Sequence, residues 1–338
     1  MMRFMRKNRK KYVFGIFLTL LLLVSMMLGG CVDQHPENTK KSNQSVSVET
    51  MLEITDPKEK TAVETAKAKV KNLSAQPKII ATSPAVAEIC DKLDLNLVGV
   101  CKSNVSKLPD RYKKTKKIGL AMNPDMEIMT SLKPDWILSP SSLQSDLEAK
   151  YKELHTDYAF LNLRSVSGMY RSIQELGEIF GKEKQAEKMT KKFISFYKNY
   201  QKRNQNKRHP KVLILMGMPG SYVIATENSY VGSLVKLAGG KNVYQGSNQE
   251  FLNVNTEDMK KKEPDIIVCA AHALPEKVKK MFKEDFKTND IWKHFEAVKN
   301  GRVYDLTYEY FGMSANFNYQ KALKELEGYF YGDNKTGK

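Results

Sequence analysis

Between 182 and 203 the chain carries neither proline nor glycine, and its apolar side chains Ala186, Met189, Phe193, Phe196, Tyr197 and Tyr200 recur at steps of three and four. That period puts them on one stripe of an α-helix, with lysine and glutamate on the other side. Gly181 precedes the segment and Pro210 stops it, so at about 1.5 Å per residue it is a rod roughly 30 Å long, enough to cross a small domain. On either side the pattern changes to short apolar runs separated by helical periods. In the first half, 78–82, 97–101, 136–139 and 158–163 read as strands, 118–125 as a strand running into a loop at Met122, and 84–93, 126–132, 143–154 and 168–180 as helices. Ser83 followed by Pro84 is a helix start, a capping side chain and then a residue whose missing N–H costs nothing at the first helical position. The second half restarts with strands at 211–217 and 222–226, a helix at 230–237 closed by Gly239 and Gly240, and a strand at 265–268. Such alternation is the grammar of βαβ units. It predicts an α/β fold of two Rossmann-like lobes joined by one long backbone helix, with a cleft between them.

The halves also share a phrase. Glu127 stands seven positions before Pro134-Asp135, Glu257 stands seven before Pro264-Asp265, and each pair ends a helix and begins an apolar strand. One Pro-Asp is an ordinary helix stop. Two with the same upstream glutamate point to two lobes built to one plan.

Composition changes the picture at the ends. Arg3, Arg6, Lys7, Arg9, Lys10 and Lys11 precede an apolar run that closes on Leu28-Gly29-Gly30-Cys31. Residues 1–30 read as an export signal, and its end resembles a bacterial lipobox, which implies a diacylglyceryl group on Cys31 and a lipid anchor on the outer face of the cell membrane. From 32 to 77 few large apolar residues remain, and the stretch is expected to be a flexible tether with at most a transient helix at 61–73. The expected divisions are therefore signal 1–30, Cys31 and tether 31–77, first lobe 78–166, helical connector 167–209, second lobe 210–332 and tail 333–338.

The formal charge is +17, but six positives lie in the signal, so about +11 remains, spread along the chain without a zinc-finger or RNP pattern. With export this excludes nucleic acid as a partner. Cys90, Cys101 and Cys269 sit among apolar neighbours and read as buried free thiols, with a Cys90–Cys101 bridge the competing arrangement. No Gly-x-Ser-x-Gly or His-Glu-x-x-His follows Cys31, and Ser-x-x-Lys, at 195–198 and 233–236, lacks its companion motifs. The chain does not read as an enzyme.

A lipobox, a tether, two α/β lobes and one connecting helix resemble the substrate-binding lipoproteins of ABC importers, the class III periplasmic-binding-protein group that takes cobalamin, siderophores and haem. More narrowly, Lys211-Val-Leu-Ile-Leu-Met-Gly-Met-Pro-Gly-Ser-Tyr222, Leu237-Ala-Gly-Gly-Lys-Asn-Val243, Pro275-Glu-Lys-Val-Lys-Lys-Met-Phe282 and Asn289-Asp-Ile-Trp-Lys-His-Phe295 are similar to the haem receptors of the iron-regulated surface determinant importers of Gram-positive bacteria. The residues alone place Met122 in a loop beside Pro124 and His272 just past an apolar strand, both where open α/β sheets present side chains to a cleft. The resemblance implies that these two hold the iron of haem b (iron protoporphyrin IX), through Gly119-Leu-Ala-Met122-Asn-Pro124 and Ala271-His272. It implies too that Glu127 and Glu257 dock into arginines of an ABC permease, that surface proteins donate the haem, and that the receptor works as a monomer. The family often has proline where this chain has Ala121 and Ala271, and Gly-Met where it has Ala273-Leu274. Tyr222, Phe311 and Met313 are the expected walls of the cleft, and the helix start at Ser83 to Val86, with free backbone N–H groups, is the expected propionate seat. The competing cargo is a siderophore or corrinoid, which has no need of a paired methionine and histidine.

Overall fold

The computed structural model describes residues 47–103 and 106–332; the signal, Cys31 and the tail 333–338 lie outside the described residues. The first packed elements are α1 (Val48–Leu52) and α2 (Pro57–Lys71). This corrects the expected flexible tether from residue 47 onward. Val48, Leu52, Val63 and Ala66 are buried in the main core, Asp56 caps α2 through the Lys58 N–H, and ion pairs join Glu49 to Lys198 and Lys69 to Asp157. Few apolar residues spread over two helices suffice because all of them face one surface.

The first lobe runs β1 (Ile79–Ala81), α3 (Pro84–Lys92), β2 (Leu97–Lys102), β3 (Lys116–Leu120), β4 (Asn123–Pro124), α4 (Met126–Ser131), β5 (Trp136–Pro140), α5 (Gln144–Glu153) and β6 (Asp157–Leu161). Its sheet has the order β4-β3-β2-β1-β5-β6, parallel except for the β3–β4 hairpin. The connector is α6 (Val166–Ile179) and the 22-residue α7 (Glu183–Asn204), the rod expected from the apolar stripe. The second lobe contains β7 (Lys211–Met218), β8 (Ser221–Ala225), α8 (Tyr230–Leu237), β9 (Lys241–Asn242), β10 (Phe251–Leu252), α9 (Thr256–Lys261), β11 (Ile266–Ala271), α10 (Pro275–Thr288), α11 (Glu296–Lys299), β12 (Val303–Asp305) and α12 (Tyr319–Tyr331). Here β10-β8-β7-β11-β12 form a mixed sheet, with β8 antiparallel to both its neighbours and β9 beside the start of β7.

The shared phrase is a shared structure. Asp125 caps α4 and Asn255 caps α9, each accepting the N–H three residues on at 3.0 Å. Met129 and Met259 are buried at the same offset, and Lys133 and Glu263 turn left-handed at φ 46° and 47°. Asp135 then brackets Lys78, accepting its N–H at 2.8 Å and donating to its carbonyl at 2.9 Å, while Asp265 does the same to Lys211 at 2.7 and 2.8 Å. Each aspartate thus ties the start of its own strand to the first strand of its lobe.

One continuous core, built from α1, α2, α3, α6, α7, α8 and α12 with one face of each sheet, runs through both lobes. Phe193 of α7 stacks on Tyr170 (ring centroids 4.6 Å apart), and the Tyr170 hydroxyl lies 3.1 Å from that of Tyr319 on α12. The outer face of each sheet has its own smaller core, around Ile137 and Phe160 in the first lobe and Phe282 and Trp292 in the second.

Candidate functional site

β3 ends in a tight corner. Leu120 pairs with Asn123, so Ala121 and Met122 form a two-residue turn. Gly119 makes the corner possible: its φ is +90°, and a Cβ there would meet the Asn123 carbonyl and the Asp125 nitrogen at 3.0 Å. The Asp125 N–H donates to the Ile118 carbonyl at 2.7 Å, cinching the hairpin onto the start of α4. Met122 therefore stands at the tip of a short, fixed loop with its side chain 65% exposed.

His272 follows the last residue of β11, and its N–H donates to the Gly217 carbonyl at 2.9 Å, extending the β7–β11 ladder by one bond. Gly217 also allows α10 to lie against β7, since a Cβ there would meet Val278 Cγ1 at 2.4 Å. The ring of His272 is half-buried and makes no hydrogen bond among the described residues, and its desolvation lowers its pKa from the ordinary 6.5. The imidazole is neutral at physiological pH, the form that binds metals. Beside it, Ala271, Pro275, Lys279, Asp305 and Tyr308 border a cavity of ≈ 260 Å³ at the carboxyl ends of β11 and β12.

A soft thioether on one lobe and a neutral imidazole on the other suit a transition-metal ion with two open positions. Their surroundings mix charged groups such as Lys279 and Asp305 with exposed apolar side chains. Of four large hydrophobic side chains exposed among the described residues, three are Leu120, Met122 and Leu274, within two residues of these candidate ligands or one of them. Leu120 and Leu274 were not singled out in the sequence, although an apolar residue in or beside a turn was the available signal. Cys269 is buried with its thiol pushed well above the ordinary range by desolvation, so it supplies no thiolate here. Cys90 and Cys101 are free buried thiols, each pushed up to about 12 by burial.

Other expected residues are already occupied. Ser83 is nearly buried and accepts the Val86 N–H at 3.2 Å, so this amide is taken by the cap rather than left free for a propionate. Tyr222 packs against Phe282 and Trp292 and donates its hydroxyl to Asp285 at 3.0 Å, a place in the outer core of the second lobe. Phe311 is fully buried in the central core and lines no cleft, while Met313 is partly buried against it. Glu127 and Glu257 are exposed in the first turns of α4 and α9, without an ion pair among the described residues. Cys31 lies outside the described residues. No helix among those described is long and apolar enough to cross a membrane.

Comparison with known proteins extends these observations. The profile of the periplasmic binding protein family matches residues 79–310, which leaves α1 and α2 outside it. Over 263 residues the chain is 43% identical to the high-affinity heme uptake system protein IsdE of Staphylococcus aureus strain Newman, covering 78% of this chain and 90% of that one. Among solved structures, an ABC transporter substrate-binding protein from Listeria monocytogenes EGD-e superposes with a TM-score of 0.73 at 47% identity, covering 77% of this chain and 100% of that one. S. aureus IsdE complexed with heme superposes with a TM-score of 0.72 at 43% identity, covering 76% of this chain and 100% of that one.

Proposed function

This chain belongs to the periplasmic binding protein family, and from that premise we propose that it is a lipid-anchored haem receptor of a Gram-positive cell surface, which captures haem between its lobes and passes it to an ABC permease. The observation that carries this reading is the pair of candidate ligands, an exposed thioether at a rigid hairpin tip and a neutral imidazole at a strand end, in a chain homologous to a heme uptake protein. Haem enters as cargo, handed over by surface proteins. Met122 and His272 take the two axial positions of its iron, giving a six-coordinate, low-spin centre in which sulfur favours the reduced state relative to two histidines. One bond comes from each lobe, so the iron fastens the cleft. A permease that engages the lobes separately, through Glu127 and Glu257, releases the cargo by breaking one of those bonds. Cys31 carries the anchor, and the receptor acts as a monomer by binding and hand-over rather than by catalysis.

The packed elements among the described residues lie within 47–332, so residues 32–338 made without lipid serve for a test. Haemin titrated into this protein is expected to give a saturable 1:1 change in the Soret band. An unsaturable response would reject haem as the cargo. A saturable response to a ferric siderophore or cobalamin in its place would transfer the cleft to the siderophore or corrinoid class.

A further inference from the structure

Five residues other than glycine have a left-handed backbone among those described: Asp94, Lys133, His155, Glu263 and Leu274. The first four are polar and each follows the last turn of a helix, where chains ordinarily turn left-handed to finish. Leu274 differs. It precedes a helix, standing at the N-cap of α10 with φ 49° and ψ 60° and no side chain capping the first turn. It is also 53% exposed and joins none of the three packed clusters.

A branched apolar residue in this conformation carries a steric cost that asparagine or glycine would avoid, and asparagine would also cap the helix. Backbone strain persists only where its surroundings enforce it, and here they do. The Leu274 carbonyl accepts from Lys277 at 2.9 Å and Val278 at 3.1 Å, and two residues earlier His272 is bonded to Gly217. The corner from 272 to 278 is held by its backbone, and an apolar side chain stands out of it next to the candidate imidazole ligand. On the first lobe Leu120, also 53% exposed and outside every cluster, stands two residues before Met122 as Leu274 stands two residues after His272.

We propose that Leu274 is a fixed apolar jaw that packs on the porphyrin ring beside His272, with Leu120 its counterpart beside Met122, so that these leucines set affinity for a flat apolar macrocycle and contribute nothing to the fold. This rests on the cargo reading above. The strained corner aims the side chain before the ligand arrives, which lowers the ordering cost of binding. Because the jaw grips the ring and not the metal, it acts equally on a porphyrin without iron.

The experiment uses Leu274→Asn and Leu120→Asn in residues 32–338, with haemin and iron-free protoporphyrin IX as probes. Dissociation of both porphyrins is expected to be roughly tenfold faster in each variant, while the ligand-free Leu274→Asn protein melts at or above the wild-type temperature. Dissociation rates unchanged for both probes would overturn the jaw. So would a lower melting temperature of ligand-free Leu274→Asn, which would make the leucine a structural residue. If the wild type binds neither porphyrin, the cargo reading falls and the jaw with it; if the wild type binds and the variants match it, the jaw alone falls.

Discussion

Two side chains carry the account, and their local chemistry decides how it responds to pH. Burial lowers the pKa of His272 below the ordinary 6.5, so the imidazole keeps its lone pair through neutral pH and protonates only on further acidification. Haem is therefore expected to stay bound at pH 6.5 and to be lost as pH falls below that value, because the proton competes for the nitrogen proposed to hold the iron. The Soret band followed down a pH series measures this; loss of haem between pH 8 and 7 would contradict it. Met122 has no such dependence, and in Met122→Ala the acid transition should remain. Their positions were legible in the sequence, since a methionine beside Pro124 and a histidine after an apolar run can only lie at element ends. What could not be read was which neighbours are free. Phe311 has the composition of a cleft wall, yet it is fully buried in the central core, a depth that no local pattern reveals; Tyr222 is only partly buried, with its hydroxyl on Asp285.

At the scale of elements, the docking of α2 on α6 contains an acid pair. Glu175 is 1% exposed and Glu59 6%, and one carboxylate oxygen of Glu175 lacks a partner among the described residues. Burial first, and then the neighbouring Glu59, push the Glu175 carboxyl up from 4.5 to about 9. The folded chain thus keeps a proton that the unfolded chain releases above 4.5, so this contact contributes most at low pH and its contribution is lost as pH rises towards 9. Glu175→Gln keeps the neutral shape without the ionisation. Its melting temperature is expected to exceed that of the wild type at pH 8, by on the order of 5 °C, and to converge on it near pH 4.5. Thermal melts at the two pH values test this, and a variant less stable at pH 8 would refute it. The same interface explains why the tether was misread. A helix whose buried apolar residues are only Val63 and Ala66, with Glu59 buried beside them, has the composition of a solvated linker. By contrast α7, with aromatic rings at regular steps, was legible to within a residue at either end.

For the whole molecule, the shared core sets how far the lobes part. The central cluster passes from the first lobe through α6 and α7 into α8 and α12, and the lobes also meet through Arg164–Glu250 at 2.7 Å and the Ala315 N–H on the Leu163 carbonyl at 2.8 Å. Packed interiors deform little, so release through small displacements at the cleft, rather than wide hinge opening, is the behaviour this architecture supports. The duplicated α4 and α9 hold Glu127 and Glu257 exposed in their first turns by fixed caps. Reversing both charges, Glu127→Lys with Glu257→Lys, is expected to leave haemin affinity within about twofold while abolishing haem-dependent growth of cells relying on this importer. Unimpaired growth would remove these glutamates from docking. The duplication itself was legible because a glutamate stands seven positions before a Pro-Asp in each half, whereas the joining of the lobes into one core depends on contacts between distant segments that no local pattern encodes. The most direct test of the central claim is the ligand set of the ferric haem complex, read from its sulfur-to-iron charge-transfer band. That band should be present in the wild type and absent in Met122→Ala, and His272→Ala should lose the low-spin spectrum. A wild-type complex without the band, or variants spectrally identical to it, would contradict ligation by Met122 and His272.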